Sequence, residues 1–372
     1  MDTKTVVIGM SGGVDSSVSA FLLKEAGYRV IGMFMKNWEE ETAEGGCHSA
    51  SDYEDVMRVC DCLDIPYYAV NFVQEYWDRV FHHFIAELEQ GFTPNPDILC
   101  NREIKFKVLL DKAKEVGGTF LATGHYCQSV FQDAQWNLLR GADLGKDQSY
   151  FLYTIGQAQL AQVLFPVGHL QKSQVRELAR QAGLPTAEKK DSTGICFIGE
   201  RKIKEFLSKY VAYQPGNLER LDGSVVGRHE GLAYYTIGQR RGMGLGGAGD
   251  AWFVVGKDVE KGNVIVERGE FHPALYCDGL TATEATWVEG SMPPLPFSCT
   301  CKIRYRQADQ PCVIKSCADG ILEVEFLTPQ RAVTPRQSIV FYQGERCLGG
   351  AMIQKAAPSY HEQGRLLSIQ NQ

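Results

Sequence analysis

The 372-residue chain contains no run of eighteen apolar residues, which argues against a membrane-spanning helix. Its first apolar stretch, Thr5-Val6-Val7-Ile8, reads directly as a strand, so neither a signal peptide nor a membrane partner is expected. Twelve cysteines occur without one Cys-x-x-Cys pair, and eight histidines without one His-x-x-x-His, which argues against zinc or iron–sulfur ligation. The tightest spacings, Cys60-x-Cys62 and Cys299-x-Cys301, would share one face of a strand and read as packing. In an unexported chain such thiols stay reduced, so a cytoplasmic location is expected rather than a disulfide framework. Positive charge is also short: 38 Lys and Arg stand against 45 Asp and Glu, a net charge of −7. A wholly basic nucleic-acid binder is thereby excluded. The deficit is uneven, however. Residues 200–241 hold eight basic against five acidic residues (+3), and residues 300–346 hold seven against five (+2), so local basic faces for RNA persist.

What is present begins with Gly9-Met10-Ser11-Gly12-Gly13-Val14-Asp15-Ser16-Ser17, set between the strand-like run and a helical pattern of Val18, Phe21, Leu22, Leu23 and Ala26 ending at Gly27. A strand feeding a glycine turn that opens a helix aims backbone N–H groups and the helix dipole at one point, where an anion belongs. The Gly-Lys-Ser/Thr ending of a Walker loop is missing, and Asp15 and Ser16 stand where a dinucleotide fold needs its third glycine. Ser-Gly-Gly-Val-Asp-Ser instead resembles the PP-loop of the ATP pyrophosphatases, which split ATP between its α and β phosphates. Gly12 and Gly13 let the backbone curl around pyrophosphate, the serines add hydroxyl donors, and Asp15 could hold Mg²⁺ or cap the helix.

Further along, Tyr28 to Met35 reads as a second strand whose end lies beside the phosphate loop, where backbone could meet adenine. Helices are expected over about 52–63 and 74–90. Phe92-Thr93-Pro94-Asn95-Pro96-Asp97-Ile98-Leu99-Cys100 reads as a proline-stiffened loop that presents Cys100 just before a helix, where the dipole would favour a thiolate. Thr119 to His125 is another strand ending at the nucleotide, residues 126–140 alternate like a hairpin, and 172–182 is helical. A second cysteine, Cys196, lies in a loop with Lys189 and Lys190 near enough to lower its pKa. Beyond about residue 205 glycines crowd the chain, and Gly238 to Gly247, with Arg240 and Arg241, reads as a basic loop. After Pro273 short strands suggest a small antiparallel barrel, in which Lys302, Arg304 and Arg306 would share a phosphate-facing side.

Taken together, the PP-loop, Asn95-Pro96-Asp97-Ile98-Leu99-Cys100-Asn101, Gly124-His125, Lys146-Asp147-Gln148-Ser149-Tyr150-Phe151, Asp191 to Gly199, Tyr235 to Gly242 and Lys302 to Arg306 resemble the bacterial MnmA-type (TrmU) tRNA-specific 2-thiouridylases over nearly the full length. The resemblance implies an α/β protein: a Rossmann-like PP-loop domain (1–204), a glycine-rich central domain (205–272) and a C-terminal β-barrel that binds tRNA (273–372). It implies adenylation by ATP, with Mg²⁺, of the C2 oxygen of wobble uridine 34. Cys196 would then carry a persulfide, Cys100 would act as nucleophile and later pair with Cys196 as a disulfide, and Asp97 would be the acid/base. ATP contacts carry over onto Gly9, Met10, Ser11, Gly12, Gly13, Val14, Asp15, Ser16, Met35 and Gly124, with Asp15 as the candidate metal ligand. Contacts to tRNA carry over onto Asn95, Pro96, Asp97, His125, Lys146, Asp147, Gln148, Arg304, Tyr305 and Gln343. The implied partners are tRNAs with Glu, Gln and Lys acceptors and a sulfur-relay or cysteine desulfurase protein as persulfide donor. The chemistry is coherent, because a ring oxygen leaves readily only once it is carried by AMP, and a soft sulfur nucleophile can then replace it. An amide-forming ligase is the alternative, and it would leave both cysteines incidental.

Overall fold

A computed structural model describes residues 3–39, 48–191 and 203–367. Cys47, Cys196 and the stretch from Ser192 to Gly199 lie outside these residues. Strands β1 (Thr5–Met10), β2 (Arg29–Lys36), β3 (Tyr67–Asn71) and β4 (Phe120–Ala122) are followed by a hairpin, β5 (Cys127–Gln132) and β6 (Gln135–Arg140), and then by β7 (Val163–Leu164). The hairpin leaves the sheet, and the other five strands form one parallel sheet in the order β3-β2-β1-β4-β7. Both faces are covered, which is why β1 is nearly all apolar. Val6, Ile8 and Met10 pack with Val18, Val59 and Val175 on one side, while Val7 packs with Phe84, Ile104 and Leu109 on the other. From β1 the chain steps to β2 and β3 on one flank and then crosses to β4 on the opposite flank of β1. The strand order therefore reverses between β1 and β4, and a crevice opens there beyond their carboxyl ends.

The central sheet is small: β8 (Gly216–Glu219), β9 (Val225–His229), β10 (Trp252–Asp258) and β11 (Asn263–Arg268), in the order β10-β11-β8-β9. The last six strands are β12 (Tyr276–Trp287), β13 (Phe297–Lys302), β14 (Gln310–Ala318), β15 (Ile321–Arg331), β16 (Ser338–Gln343) and β17 (Arg346–Ala356). They run β12-β15-β14-β13-β16-β17, and β17 pairs back with β12, closing an antiparallel barrel. The barrel anticipated from strand spacing is thus present, and so is the 126–140 hairpin, although β6 pairs with the start of β17 and fastens the first domain to the barrel.

Further ties hold the domains together. Arg140 of β6 is buried, stacks its guanidinium 3.7 Å from the Tyr342 ring centroid and donates to Asp309 at 2.7 Å. Tyr150 donates to the Ser338 carbonyl at 2.9 Å, Lys257 donates to the Gly91 carbonyl at 2.6 Å, and Gln337 donates to the Thr93 carbonyl. The segment leading into Asn95 is therefore gripped by central domain and barrel alike. Among the described residues no helix is long and apolar enough to cross a membrane.

The helix expected over 52–63 is present as His48–Cys62, so the strand-face reading of Cys60 and Cys62 fails; Cys60 is buried and Cys62 exposed. The helix expected over 74–90 runs from Val73 to Glu89 but passes through a π-helical turn at Trp77–Phe81. Strand β13 stops at Lys302, because the Ile303 amide turns away to bond the Gln307 side chain at 2.9 Å.

Candidate active site

At the reversal point the chain from Met10 to Val14 forms the turn its glycines permit. Gly12 has φ +73°, and Gly13 is extended (φ −92°, ψ 164°) as the residue capping α1 (Val14–Glu25). The helix mouth is laced by its serines. Ser17 Oγ donates to the Gly13 carbonyl at 2.8 Å, Ser16 Oγ to the same carbonyl at 3.1 Å, and the Ser11 amide to Ser16 Oγ at 3.3 Å. Two close approaches leave no room for a side chain. A Cβ on Gly12 would lie 2.6 Å from the Asp52 carbonyl oxygen, and one on Gly124, just past β4, would lie 2.8 Å from the Ser16 amide. Gly124 thus seats the end of β4 against the first turn of α1. Met35 adjoins the same crevice: β1 pairing ends at Met10–Phe34, and Met35 pairs with Val70 of β3.

Charge gathers around the loop from places that sequence reading missed. Lys172 donates to both carboxylate oxygens of Asp15, at 2.7 and 2.9 Å, and Tyr126 donates to Asp15 at 2.7 Å. Lys172 also pairs with Asp191 at 2.8 Å, and Asp191 takes Lys146 at 2.7 Å and Arg176 at 2.8 Å. Burial opposes ionisation of Asp191, yet hydrogen bonds from Lys146 and Lys172 prevail and hold its pKa at about 2. With both its oxygens engaged, Asp15 does not fit the role of a metal ligand in this arrangement. No group of three or more potential metal ligands exists among the described residues. Lys189 pairs with Asp52 and Asp55 at 2.8 and 2.7 Å, so its charge is compensated by two carboxylates. No local pattern announces Lys172, which opens an ordinary amphipathic helix (Lys172–Gln181).

Cys100 is placed differently from the expectation. Asn95 caps a helix by accepting from the Asp97 amide at 3.2 Å, and Pro96 is the first helical residue, so Cys100 lies inside the helix and not in a loop before it. The Asn-Pro dipeptide was the available signal. From Cys100 to Leu109 the helix is π-helical, with a non-helical Phe106 (φ −97°, ψ 17°), a distortion that concentrates at functional sites. Cys100 is fully buried, in one apolar cluster with Met35, Ile98, Tyr150 and Tyr342. Asn101 beside it donates to the Phe151 carbonyl at 3.1 Å. Five residues on along the same helix, Lys105 Nζ lies 3.4 Å from His125 Nε2. The helix bearing Cys100 is therefore tied to the crevice at Gly124-His125.

The residues carried over as RNA contacts separate into two groups. Asp147 is buried and accepts from the amides of Gly141 and Ser149, each at 3.1 Å, and Gln148 accepts from the Tyr126 amide at 2.9 Å; both brace their own loop. His125 is buried between Phe106 and Phe165 and 2.8 Å from Thr123 Oγ1. Arg304 donates to the Ala332 carbonyl at 2.7 Å and bonds the Ile237 carbonyl, so it joins barrel to central domain and does not share an open basic face with Lys302 and Arg306. Lys302 is mostly covered and lies 5.7 Å from the Tyr342 ring. The exposed members are Gln343 and, outside that set, Arg240, Arg241 and Arg306. Tyr305 packs against Phe151, the rings tilted by 47° with centroids 4.5 Å apart.

Burial, reinforced by Lys105, pushes the His125 imidazole well below its ordinary 6.5. Below about pH 6.5 the unfolded chain takes up a proton that the native ring resists, so stability is full above that pH and falls as pH drops through it. We expect the melting temperature to fall between about pH 7.5 and 5.5, and to fall less in His125→Gln; equal acid shifts in both proteins would disprove this.

Three family descriptions match consecutive parts of the chain: "tRNA methyl transferase HUP domain" (residues 4–200), "tRNA methyl transferase PRC-barrel domain" (204–268) and "Aminomethyltransferase beta-barrel domain" (277–353). Among curated relatives, "tRNA-specific 2-thiouridylase MnmA" of Protochlamydia amoebophila is 62% identical over 99% of this chain and 98% of its own length. "tRNA-specific 2-thiouridylase MnmA 2" of Geobacillus kaustophilus is 57% identical over 94% of each chain. A far fainter likeness links the chain to the "U34-tRNA thiolase NcsA" of Methanococcus maripaludis, at 19% identity and a TM-score of 0.35 over 56% of this chain and 68% of that one.

Proposed function

We propose that this chain, which belongs to the family of tRNA-specific 2-thiouridylases, is an ATP-dependent tRNA sulfurtransferase that replaces the C2 oxygen of wobble uridine 34 with sulfur. One observation carries the reading: the Gly12-Gly13 loop, Gly124 and the helix bearing Cys100 meet at the point where the sheet's strand order reverses. The loop would hold the triphosphate on the backbone N–H groups at the mouth of α1, with Met35 and Gly124 flanking the nucleotide. Mg²⁺ would arrive on the phosphates, where it would offset their charge.

The uridine O2 attacks the α-phosphorus, the Pα–O bond to the β-phosphate breaks, and its electron pair leaves with pyrophosphate. The C2 carbon, now bearing an AMP leaving group, is attacked by the terminal sulfur of a persulfide on Cys196, and AMP departs. Cys100 then attacks the Cys196 sulfur, releasing the thione and forming a Cys100–Cys196 disulfide that external thiols reduce. Asp97 would take the N3 proton that the uridine loses on adenylation and return it to N3 as the thione forms. Asp191, five residues before Cys196 in the chain, is held in the ion-pair cluster beside Asp15. A stacked anticodon base cannot reach such a crevice, so it must flip out of the loop. The exposed Arg240, Arg241 and Arg306 suit tRNA phosphates, and Asn95, Pro96, Lys146, Tyr305 and Gln343 would contact tRNA nearer the target base. We divide the chain at 204/205 and 272/273, and we place its work in the cytoplasm, with tRNAs of Glu, Gln and Lys acceptors as substrates and a sulfur-relay or desulfurase protein as donor.

The test is nucleoside mass spectrometry of unmodified tRNA incubated with the protein, a persulfide donor and ATP. 2-Thiouridine should accumulate at position 34 and should vanish when ATP is omitted. Thiolation independent of ATP, or none with a competent donor, would sink the reading.

A further inference from the structure

The phosphate loop carries no cation of its own: between Gly9 and Glu25 the only basic residue is Lys24, whose Nζ is turned to the Leu63 carbonyl at the far end of α1. A tail of phosphates held by backbone N–H groups alone would keep most of its charge uncompensated. From the helix packed beside α1 on the same face of the sheet, Lys172 reaches the first turn of α1 and bonds both oxygens of Asp15, the second residue of that helix. We infer that Lys172 is the loop's missing lysine, supplied from a distance, and that it grips the β and γ phosphates which leave as pyrophosphate.

The surroundings suit such a transfer of partners. Lys172 is nearly buried, so its ammonium is held in place, and the Tyr126 ring below it, 5.6 Å from Nζ, limits where it can swing. Its two present acceptors keep other donors when it turns to phosphate: Asp15 retains the Tyr126 hydroxyl, and Asp191 retains Lys146 and Arg176. Three cations, Lys172, Lys146 and Arg176, meet three carboxylates here, since Asp143 accepts from the Lys172 amide at 3.0 Å, so the phosphates would take Lys172 by exchange of partners and not from an excess of charge. When the Pα–O bond breaks, the electron pair goes with pyrophosphate; Lys172 stays protonated and donates hydrogen bonds to the departing oxygens. This assignment rests on reading the loop as an ATP site.

The experiment measures equilibrium binding of ATP and of AMP to the full chain, as wild type, Lys172→Met and Lys172→Arg, with pyrophosphate release under tRNA as a second readout. AMP lacks the phosphates in question. Lys172→Met should weaken ATP about 10- to 100-fold while changing AMP by less than about twofold, and Lys172→Arg should recover part of the loss. An unchanged ATP affinity overturns the assignment, and so does equal weakening of ATP and AMP or a collapsed melting temperature without selective loss, since those mark a structural role. Wild-type protein that binds neither nucleotide overturns the ATP reading itself, and the assignment with it.

Discussion

Cys100→Ala should give a folded protein that still releases pyrophosphate from ATP in the presence of tRNA and forms no 2-thiouridine beyond one thousandth of the wild-type rate, roughly the scale of losing a nucleophile. Alanine is the informative choice. The Cys100 side chain is fully buried among apolar neighbours, where serine would add a hydroxyl, whereas alanine removes only a sulfur and leaves a small cavity costing about 1 kcal/mol. If Cys100 were a packing residue alone, thiolation per folded molecule would survive. Monitoring adenylation and thiolation separately distinguishes the cases, because the phosphate loop lies on another element and should go on splitting ATP. Full burial also has a kinetic corollary: the thiol cannot react with a bulky alkylating reagent until the apolar cover moves, so tRNA should accelerate its labelling.

Gly12→Ala should abolish nucleotide binding, weakening ATP by at least about 100-fold, because two penalties coincide. The φ of +73° places an L-residue in the left-handed region, costing about 1–2 kcal/mol. The added methyl would also lie 2.6 Å from the Asp52 carbonyl oxygen, backbone of a packed helix that cannot step aside alone. The loop must then move, and its N–H groups lose their common focus. Gly117→Ala is the control: its φ is +85°, but no atom lies within 4 Å of the new methyl. That variant should pay the conformational penalty only and bind ATP normally. Calorimetric titration of both proteins settles the matter, and a Gly12→Ala protein with wild-type ATP affinity would remove the loop from the site.

How much of this was readable beforehand depended on distance along the chain. The phosphate turn was legible because its determinants are contiguous: a strand, two glycines and a serine-rich first helical turn. The barrel was legible from its short alternating strands. Cys100 was placed at the right helix but on the wrong side of its start, since Pro94 and Pro96 read as stiffeners of a loop, whereas Asn95-Pro96 is a cap followed by a first helical residue. The alternation of Lys302, Arg304 and Arg306 promised one basic face, and it failed because the strand ends at Lys302 through a turn closed by Gln307. Lys172 and Tyr126 were invisible, for their bonds to Asp15 span 157 and 111 residues. Nor did any residue pattern announce the π-helical run from Cys100 to Leu109.

The pairing of β6 with β17 bears on how the chain is made. Leu139 meets Arg346 and Leu138 meets Cys347, so the hairpin of the first domain is completed only by residues translated some two hundred codons later. At elongation speeds of about 5–20 residues per second that gap lasts roughly 10–40 s. Throughout it, the outer edge of β6, with buried Leu138 and Arg140, awaits its neighbour on the ribosome. Ribosome-bound chains truncated before β16 should therefore be marked clients for holding factors, whereas chains released at full length should not.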